Sequence, residues 1–470
     1  MQILNFKDIV KDSRLIDRGS KISSALFNSF SCSIQSISES RAEQKGYYNL
    51  LNSPKLSEEK IISAMGDCCN VNCAGKIVLA ISDTSEINLS SHKNRLKPND
   101  GYGNLVNGSL RAGVGFKMHP TIVVDALSLM PLGIGANTFI VRKENEQRKE
   151  QYKKLPIEEK ESYKWQTGVQ QTREKLSNAK SIIFIQDREG DIYEQLLNSP
   201  NDGQSFLLIR SKADRRTASE NSELLYTQLE TSQVQGTYKT IIEGGGNKKR
   251  AKQEVEFEVR AISVQFKKPS SKLASIEKQT STFSVIETRQ INADKEEEAI
   301  VWRLITDWPI ETFEEMVTVI SWYETRWYIE EVFKVLKKEN IDIESCELEN
   351  AYAIRKLILI QLEVIIKVFQ MRAAYNEPEE GYPASLVFTE DEIKCIELIT
   401  EDKLEGKTEK LKNPYQKKIL AYAVWSIARL GGWKGYNSQA RPGPSTMIEG
   451  LKKFYQIYEG YSLLLKVGTR

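Results

Sequence analysis

Histidine is nearly missing from the chain: His92 and His119 are the only two, so a multi-histidine metal centre is excluded outright. Six cysteines in 470 residues are too few for a disulfide scaffold. Cys68, Cys69 and Cys73 lie together but have no second ligand cluster elsewhere, so they read as buried or reduced thiols rather than a zinc site. Long hydrophobic runs are lacking too. The greasiest stretch, 357–369, is interrupted by Gln361, Glu363 and Lys367, whereas a membrane crossing takes ~20 apolar residues. The opening Met-Gln-Ile-Leu-Asn-Phe-Lys-Asp carries no basic segment followed by an apolar one, which predicts a soluble, non-exported intracellular protein with no membrane partner. Neither sign of charge dominates: 66 Lys and Arg face 64 Asp and Glu, a net of +2, so any pull on nucleic acid must come from local patches. What the chain has is length and 40% hydrophobic residues, enough for a large core and about two to four domains.

Along the chain, residues 1–70 read as a helical unit. Ile22, Leu26 and Phe27 share one apolar face and Tyr47, Leu50 and Leu51 another, with Lys11, Arg14, Arg18, Lys21, Arg41 and Lys45 interleaved. Such a unit could bind DNA or simply present a solvated charged surface. From Lys76 the texture changes to β-runs. Ile77-Val78-Leu79-Ala80-Ile81 ends in Ser82-Asp83-Thr84, a second block covers 116–132 after a Gly-rich stretch, and Ile182-Ile183-Phe184-Ile185 ends in Gln186-Asp187-Arg188-Glu189-Gly190. Between them, residues 143–178 favour helix. Strands alternating with helices predict an α/β core over 71–375. Within it a β-rich insertion is expected at about 213–300. There Val255, Phe257 and Val259 alternate and Ile262, Val264 and Phe266 resume on the opposite phase, predicting a bulge or strand break. Gly244-Gly245-Gly246 with Lys248, Lys249 and Arg250 reads as a basic hairpin tip. A linker at 376–383 then precedes a helical region, 376–470, whose clearest helix is expected over 415–430 and is stopped by Gly431-Gly432. There are no tandem repeats and no sustained heptads.

The segment richest in chemistry is Trp322-Tyr323-Glu324-Thr325-Arg326-Trp327-Tyr328-Ile329-Glu330-Glu331-Val332-Phe333-Lys334-Val335-Leu336-Lys337. On one continuous helix at ~100° per residue, Tyr323, Arg326, Glu330, Lys334 and Lys337 share one face, opposite Ile329, Val332, Phe333 and Leu336. An exposed helix with a Glu330–Lys334 pair worth ~0.3 kcal/mol is the plain alternative. A carboxylate ringed by cations and a phenol also suits a site where a metal meets a phosphodiester.

The spacing of Tyr323, Arg326, Glu330 and Lys337 resembles the Tyr-Arg-Glu-Lys signature of bacterial insertion-sequence transposases of the DDE class, the IS-four type. Asp83 and Asp187 match the contexts of that family's two upstream aspartates, Asp-Thr-Thr and Cys-Asp-Arg-Glu. Further matches run in order: Glu-Glu-Lys-Glu-Ser-Tyr-Lys-Trp at 158–165, Arg210-Ser211-Lys212, Trp302, and Ile427-Ala428-Arg429-Leu430-Gly431-Gly432. Together they span about residues 75–460. The resemblance implies an RNase H-like catalytic core holding the β-rich insertion, with helical regions on both sides for DNA-end binding and for dimerisation. It also implies cut-and-paste transposition at Asp83, Asp187 and Glu330, in a bacterial, nucleoid-associated protein. Tyr323, Arg326, Lys334, Lys337, Arg210 and Lys212 become DNA contacts by this comparison, and Trp302 the residue that stacks on an extruded base, worth ~1 to 3 kcal/mol. Residues alone leave Trp302 as a core aromatic, Arg210 and Lys212 as a solvated strand end, and His119 as structural or DNA-contacting. The implied partners are transposon end DNA, target DNA and a second copy of the chain in a synaptic homodimer. Where relatives carry Arg, this chain has Tyr47-Tyr48-Asn49-Leu50-Leu51-Asn52.

Carboxylates from two strand ends and one helix can hold two divalent cations ~3.5 to 4 Å apart. Mg²⁺ suits all-oxygen ligation, with Mn²⁺ a substitute. Glu86, Glu189, Asp191 and Glu331 are the competing carboxylates nearby. Two other functions fit the same residues: a silent transposase-derived DNA-binding protein, and an RNase H-like nuclease without end specificity. A paired-carboxylate glycosidase lacks its clustered sugar-binding aromatics.

Overall fold

The computed structural model describes residues 4–92, 94–96, 100–105, 113–142, 155–200, 202–218, 223–242, 253–267, 280–293, 299–408, 411–436 and 439–468. Helices α1 (Phe6–Ile9), α2 (Ser13–Ser29), α3 (Arg41–Leu51) and α4 (Glu58–Asn72) open the chain. Polar side chains at Asn5, Asp12, Ser40 and Ser57 cap their N-termini. The expected apolar faces are buried: Ile22, Leu26, Phe27, Tyr47, Leu50 and Leu51 all lie in the core. In the segment 47–52, Tyr47, Leu50 and Leu51 thus serve packing.

The sheet follows: β1 (Ile77–Ser82), β2 (Ser85–Asn88), β3 (Gly103–Asn104), β4 (Val114–Asp125), β5 (Pro131–Ile140), then α5 (Lys164–Lys175), β6 (Ser181–Gln186), α6 (Tyr193–Leu197) and β7 (Ser205–Arg210). Of the helix expected over 143–178, only Lys164–Lys175 is α-helical among the described residues, and 143–154 lies outside them. The middle of the chain adds α7 (Leu225–Thr231), β8 (Val234–Ile242), β9 (Gln253–Lys267), β10 (Thr280–Gln290) and β11 (Val301–Thr306). All these strands form one mixed sheet, in which β1, β6 and β7 run parallel and the other pairings are antiparallel. β4 carries β5 on one edge and both β1 and β2 on the other, because Thr121 pairs with Ser82 and Ala136 while Lys117 pairs with Glu86 and Ile140. That register runs on through the gap between β1 and β2 and sets Asp83 opposite Pro120, which has no N–H to give to the ladder. The strand therefore breaks at the acidic residue.

The phase switch in β9 has a different cause from the one expected. β9 is unbroken and pairs continuously with β10 over Gln290↔Phe257 to Thr280↔Lys267. A bulge does occur, but on the neighbour β8, between Val234 and Gly236. The two halves of β9 bury opposite faces. Phe257 stacks on Tyr238 at 5.5 Å on the face covered by Phe313, which lies against Gly236, whereas Phe266 meets Phe283 and the Arg215 guanidinium. The basic hairpin tip at 244–250 lies outside the described residues.

The rest is helical: α8 (Phe313–Glu324), α9 (Trp327–Lys334), α10 (Ala351–Asn376), α11 (Glu390–Ile399), α12 (Leu420–Leu430) and α13 (Pro444–Gly468). α10 contains the greasy run and is wrapped by α2, α3, α4, β5, α12 and α13, which explains why it is apolar on nearly every face. Two of its buried polar side chains bond to backbone carbonyls: Gln361 Nε2 donates to Ser31 O at 3.0 Å and Lys356 Nζ to Leu51 O at 3.0 Å. Helices from both chain ends thus share one cluster, with Phe27 against Tyr455 at 5.9 Å. α12 begins later than the expected 415, because the residues ahead of it pair with the preceding linker: Ala384 N donates to Lys418 O at 2.7 Å and Leu420 N to Tyr382 O at 2.6 Å. Among the described residues no helix is long and apolar enough to cross a membrane.

α8 leads into the signature segment and starts from a capping box in which Thr312 and Glu315 satisfy each other's backbone N–H groups. Thr312→Ala is expected to lower unfolding free energy by about 1 kcal/mol, checked by urea denaturation.

Candidate active site

β1 and β6 pair in parallel with Ile81 beside Ile185, so Asp83 and Asp187, each two residues further on, leave the sheet at the same edge of adjacent strands. Neighbouring strands lie ~4.8 Å apart, which puts the two acidic residues side by side. Asp83 Oδ1 accepts from Thr84 N at 2.7 Å. Asp187 caps the short turn Arg188–Gly190 and accepts from Glu189 N at 2.7 Å. Glu330 comes from the first turn of α9, which packs against β1. One guanidinium spans the gap: Arg326 Nη1 lies 3.1 Å from Asp83 Oδ2 and Nη2 lies 2.5 Å from Glu330 Oε1.

Burial pushes the Asp83 carboxyl up to about 6, and the negative charges of Asp187 and Glu330 add to that, against the pull of the Thr84 N–H and Arg326. Burial also raises Asp187, aided by Glu189, while Arg326 and Lys164 hold it down. The two aspartates therefore sit in surplus negative charge that Arg326, with Lys164 beside Asp187, only partly offsets.

The expected continuous helix is divided into three pieces, although Arg326 still reaches Glu330 and Glu330, Lys334 and Lys337 still line one groove. At Thr325 and Arg326 the backbone tightens into i+3 bonds, with Tyr328 N donating to Thr325 O at 2.9 Å, because the Thr325 hydroxyl itself donates to Trp322 O at 2.6 Å. Beyond Lys334 the turn widens into a π-helix over Val335–Glu339. Tyr323 consequently lies in the last turn of α8, Arg326 stands between the helices, and Lys337 projects from the π turn to Glu344 at 3.4 Å. Glu330 pairs with Arg326 rather than with Lys334, which is exposed. Lys334, Lys337 and Lys338 line one shallow groove with Glu330, Ser85 and Phe333.

Trp302, on β11, meets Tyr323 edge-on at 5.5 Å, and the Arg210 guanidinium lies 5.9 Å from its ring. Tyr323 is buried, and that burial pushes its phenol up to about 12 despite the nearby charges of Arg326 and Arg210. Arg210 ends β7 and Lys212 follows on an exposed turn, its backbone N–H donating to Asp191 Oδ2 at 2.6 Å. His119 is only 1% exposed, which keeps it from touching a macromolecule in this conformation. It sits below the site, with Nδ1 3.0 Å from the Thr84 hydroxyl and its ring against Trp165 at 4.6 Å. Burial, with Lys164 nearby, pushes it down to about 3, so the ring is neutral.

The competing carboxylates are engaged elsewhere. Glu86 pairs with Lys117 at 3.4 Å, Glu189 with Lys164 at 3.1 Å, Asp191 with buried Arg215 at 2.5 Å, and Glu331 with Arg372. Lys164, within the segment 158–165, is a site residue that the sequence motifs do not single out. Its buried ammonium charges the surroundings of both Asp187 and His119, and its place beside Trp165 on an apolar helix face was the available signal.

Among the described residues, no three His, Cys, Asp or Glu side chains close up to hold a metal ion, for Arg326 stands between Asp83 and Glu330. In kind the donors fit a hard divalent cation: they are carboxylate oxygens, crowded and short of positive charge. No protein-family model matches the chain.

A carboxyl raised in the folded state binds its proton more tightly there than when unfolded, so stability falls as pH rises from about 4 to about 6 across Asp83's range. In chelator, Asp83→Asn should therefore raise the melting temperature near neutral pH, and the gain should vanish as pH falls towards about 4.

Proposed function

We propose that this protein is a DDE-class cut-and-paste DNA transposase with an RNase H-like catalytic core. The observation that carries the reading is the approach of Asp83, Asp187 and Glu330 from two adjacent strand ends and one helix, with Arg326 bridging Asp83 to Glu330. The strand order β5-β4-β1-β6-β7, antiparallel on one side of β1 and parallel on the other, supports the core assignment.

Asp83, Asp187 and Glu330 would hold a pair of Mg²⁺ ions, or Mn²⁺ in their place, which when bound supply activation of an attacking hydroxyl and neutralisation of the leaving oxygen. One oxygen of each aspartate is fixed by a backbone N–H group, Asp83 Oδ1 by Thr84 and Asp187 Oδ1 by Glu189, which orients the second oxygen, held on Asp83 by Arg326. Lys334 and Lys337, along the groove beside Glu330, supply the local positive patch that a nearly neutral chain needs to grip phosphates. Arg210 and Lys212 extend that grip past Trp302, whose half-buried indole is braced by Tyr323 and available for base stacking on its open side. Nicking, hairpin formation, hairpin opening and joining all displace an oxygen at phosphorus, so one set of carboxylates serves each in turn. Synapsis requires a second copy, and the exposed Leu463, Leu464 and Val467 at the end of α13 offer an apolar surface for one.

The test is incubation of purified protein and Mg²⁺ with DNA carrying the inverted repeats that border its coding sequence. Nicked, hairpin and joined products are expected, and Asp83→Asn, Asp187→Asn and Glu330→Gln should each reduce all three to background. Binding without any nick in Mg²⁺ or Mn²⁺ would instead identify a silent DNA-binding protein. Cleavage without hairpins or joining would identify a plain nuclease.

A further inference from the structure

Arg326 does something in this structure that a phosphate-binding arginine does not need to do. Its side chain, 15% exposed, spends both terminal nitrogens on carboxylates that are separated by 247 positions in sequence and belong to a strand end and a helix. Those oxygens, on Asp83 and Glu330, are the ones the proposed function assigns to divalent cations. A guanidinium stays charged at any working pH, so it cannot share the space with a dication at low cost: two positive groups a few ångströms apart repel by several times thermal energy even at an effective dielectric of about 20. One must leave. Arg326 stands on the tightened turn between α8 and α9 rather than inside either helix, and its outward side borders the exposed Trp327, with Cζ 5.5 Å from the ring. The planar fork that now grips two carboxylates is equally suited to two phosphate oxygens.

We propose that Arg326 is an exchangeable internal counter-ion: it neutralises the acidic cluster while the site is free, and cation binding by Asp83 and Glu330 releases it to a DNA phosphate. The inference rests on the reading of this site as a metal-dependent transposase centre. Its consequence is regulatory. Without DNA, the cation competes with Arg326 and binds weakly. With DNA, the guanidinium has another anion to hold, and the two ligands favour each other reciprocally.

Mn²⁺ binding to the full-length protein, followed by electron paramagnetic resonance, tests this without reference to activity. Arg326→Gln should bind Mn²⁺ about tenfold more tightly than the unaltered chain, the scale of one lost charge-assisted contact. Arg326→Lys, whose single ammonium cannot bridge the two carboxylates as a fork, should shift the same way and decides the question if the glutamine variant does not fold. A short duplex of arbitrary sequence should raise Mn²⁺ affinity of the unaltered chain, and that gain should shrink in Arg326→Gln. Equal or weaker Mn²⁺ binding by both arginine variants overturns the exchange, as does a duplex effect that is undiminished. Asp83→Asn separates the two levels: if it loses Mn²⁺ while the arginine variants gain nothing, only the exchange fails. If Asp83→Asn binds Mn²⁺ like the unaltered chain, or none of the proteins binds it, the metal-site reading fails together with the exchange.

Discussion

The parallel, in-register pairing of β1 with β6 is the constraint on which the site depends. Pairing Ile81 with Ile185 brings two aspartates 104 positions apart to one sheet edge. A one-residue slip would turn every side chain of a strand to the other face, so the buried runs Ile77–Ser82 and Ser181–Gln186 enforce the register through their own packing. Pro120 reinforces the position by interrupting the ladder opposite Asp83, which frees that residue from the sheet at the point where it is needed.

Around this edge the charges are distributed with little slack. The competing carboxylates pair with other cations, Asp191 with Arg215 and Glu331 with Arg372, while Lys117 serves both Glu86 and Glu161. Of the three that face the cluster, Asp83 and Glu330 share Arg326, and Asp187 feels both Arg326 and Lys164. Buried, neutral His119 and the Thr84 hydroxyl form the floor beneath Asp83 and add no charge. The insertion strands are tied to the same region: Arg215 holds the loop after Asp187 and lies over both Tyr193 and Phe266 of β9.

Much of this was legible in the residues. Apolar runs that end in Asp83 and Asp187 announce strands with acidic termini, and the helical faces of Ile22, Leu26 and Phe27 or of Tyr47, Leu50 and Leu51 are buried as their spacing requires. Other features were not legible. Helical periodicity cannot anticipate a threonine hydroxyl that pulls the backbone into a tighter turn at Thr325, so the continuous helix expected from Tyr323 to Lys337 is divided into α8, α9 and a π turn while Glu330, Lys334 and Lys337 keep one groove. The opposite phases of Val255 to Val259 and Val264 to Phe266 read as a break, yet they record one strand covered first on one face and then on the other. The start of α12 is not readable from periodicity because Lys418 and Leu420 bond to Ala384 and Tyr382, far earlier in the chain.

By itself the sequence determined the alternation of strands and helices, the buried faces, and the residue types that could do phosphoryl chemistry, since these depend on local periodicity and on side-chain chemistry. Only the tertiary structure decided which carboxylates meet, that Arg326 rather than Lys334 is the partner of Glu330, and that His119 and Tyr323 lie beneath the surface. Contacts of that kind depend on sheet register and on the angle at which α9 meets β1. Neither is written in the spacing of neighbouring residues, because each is set by packing between segments far apart in the chain.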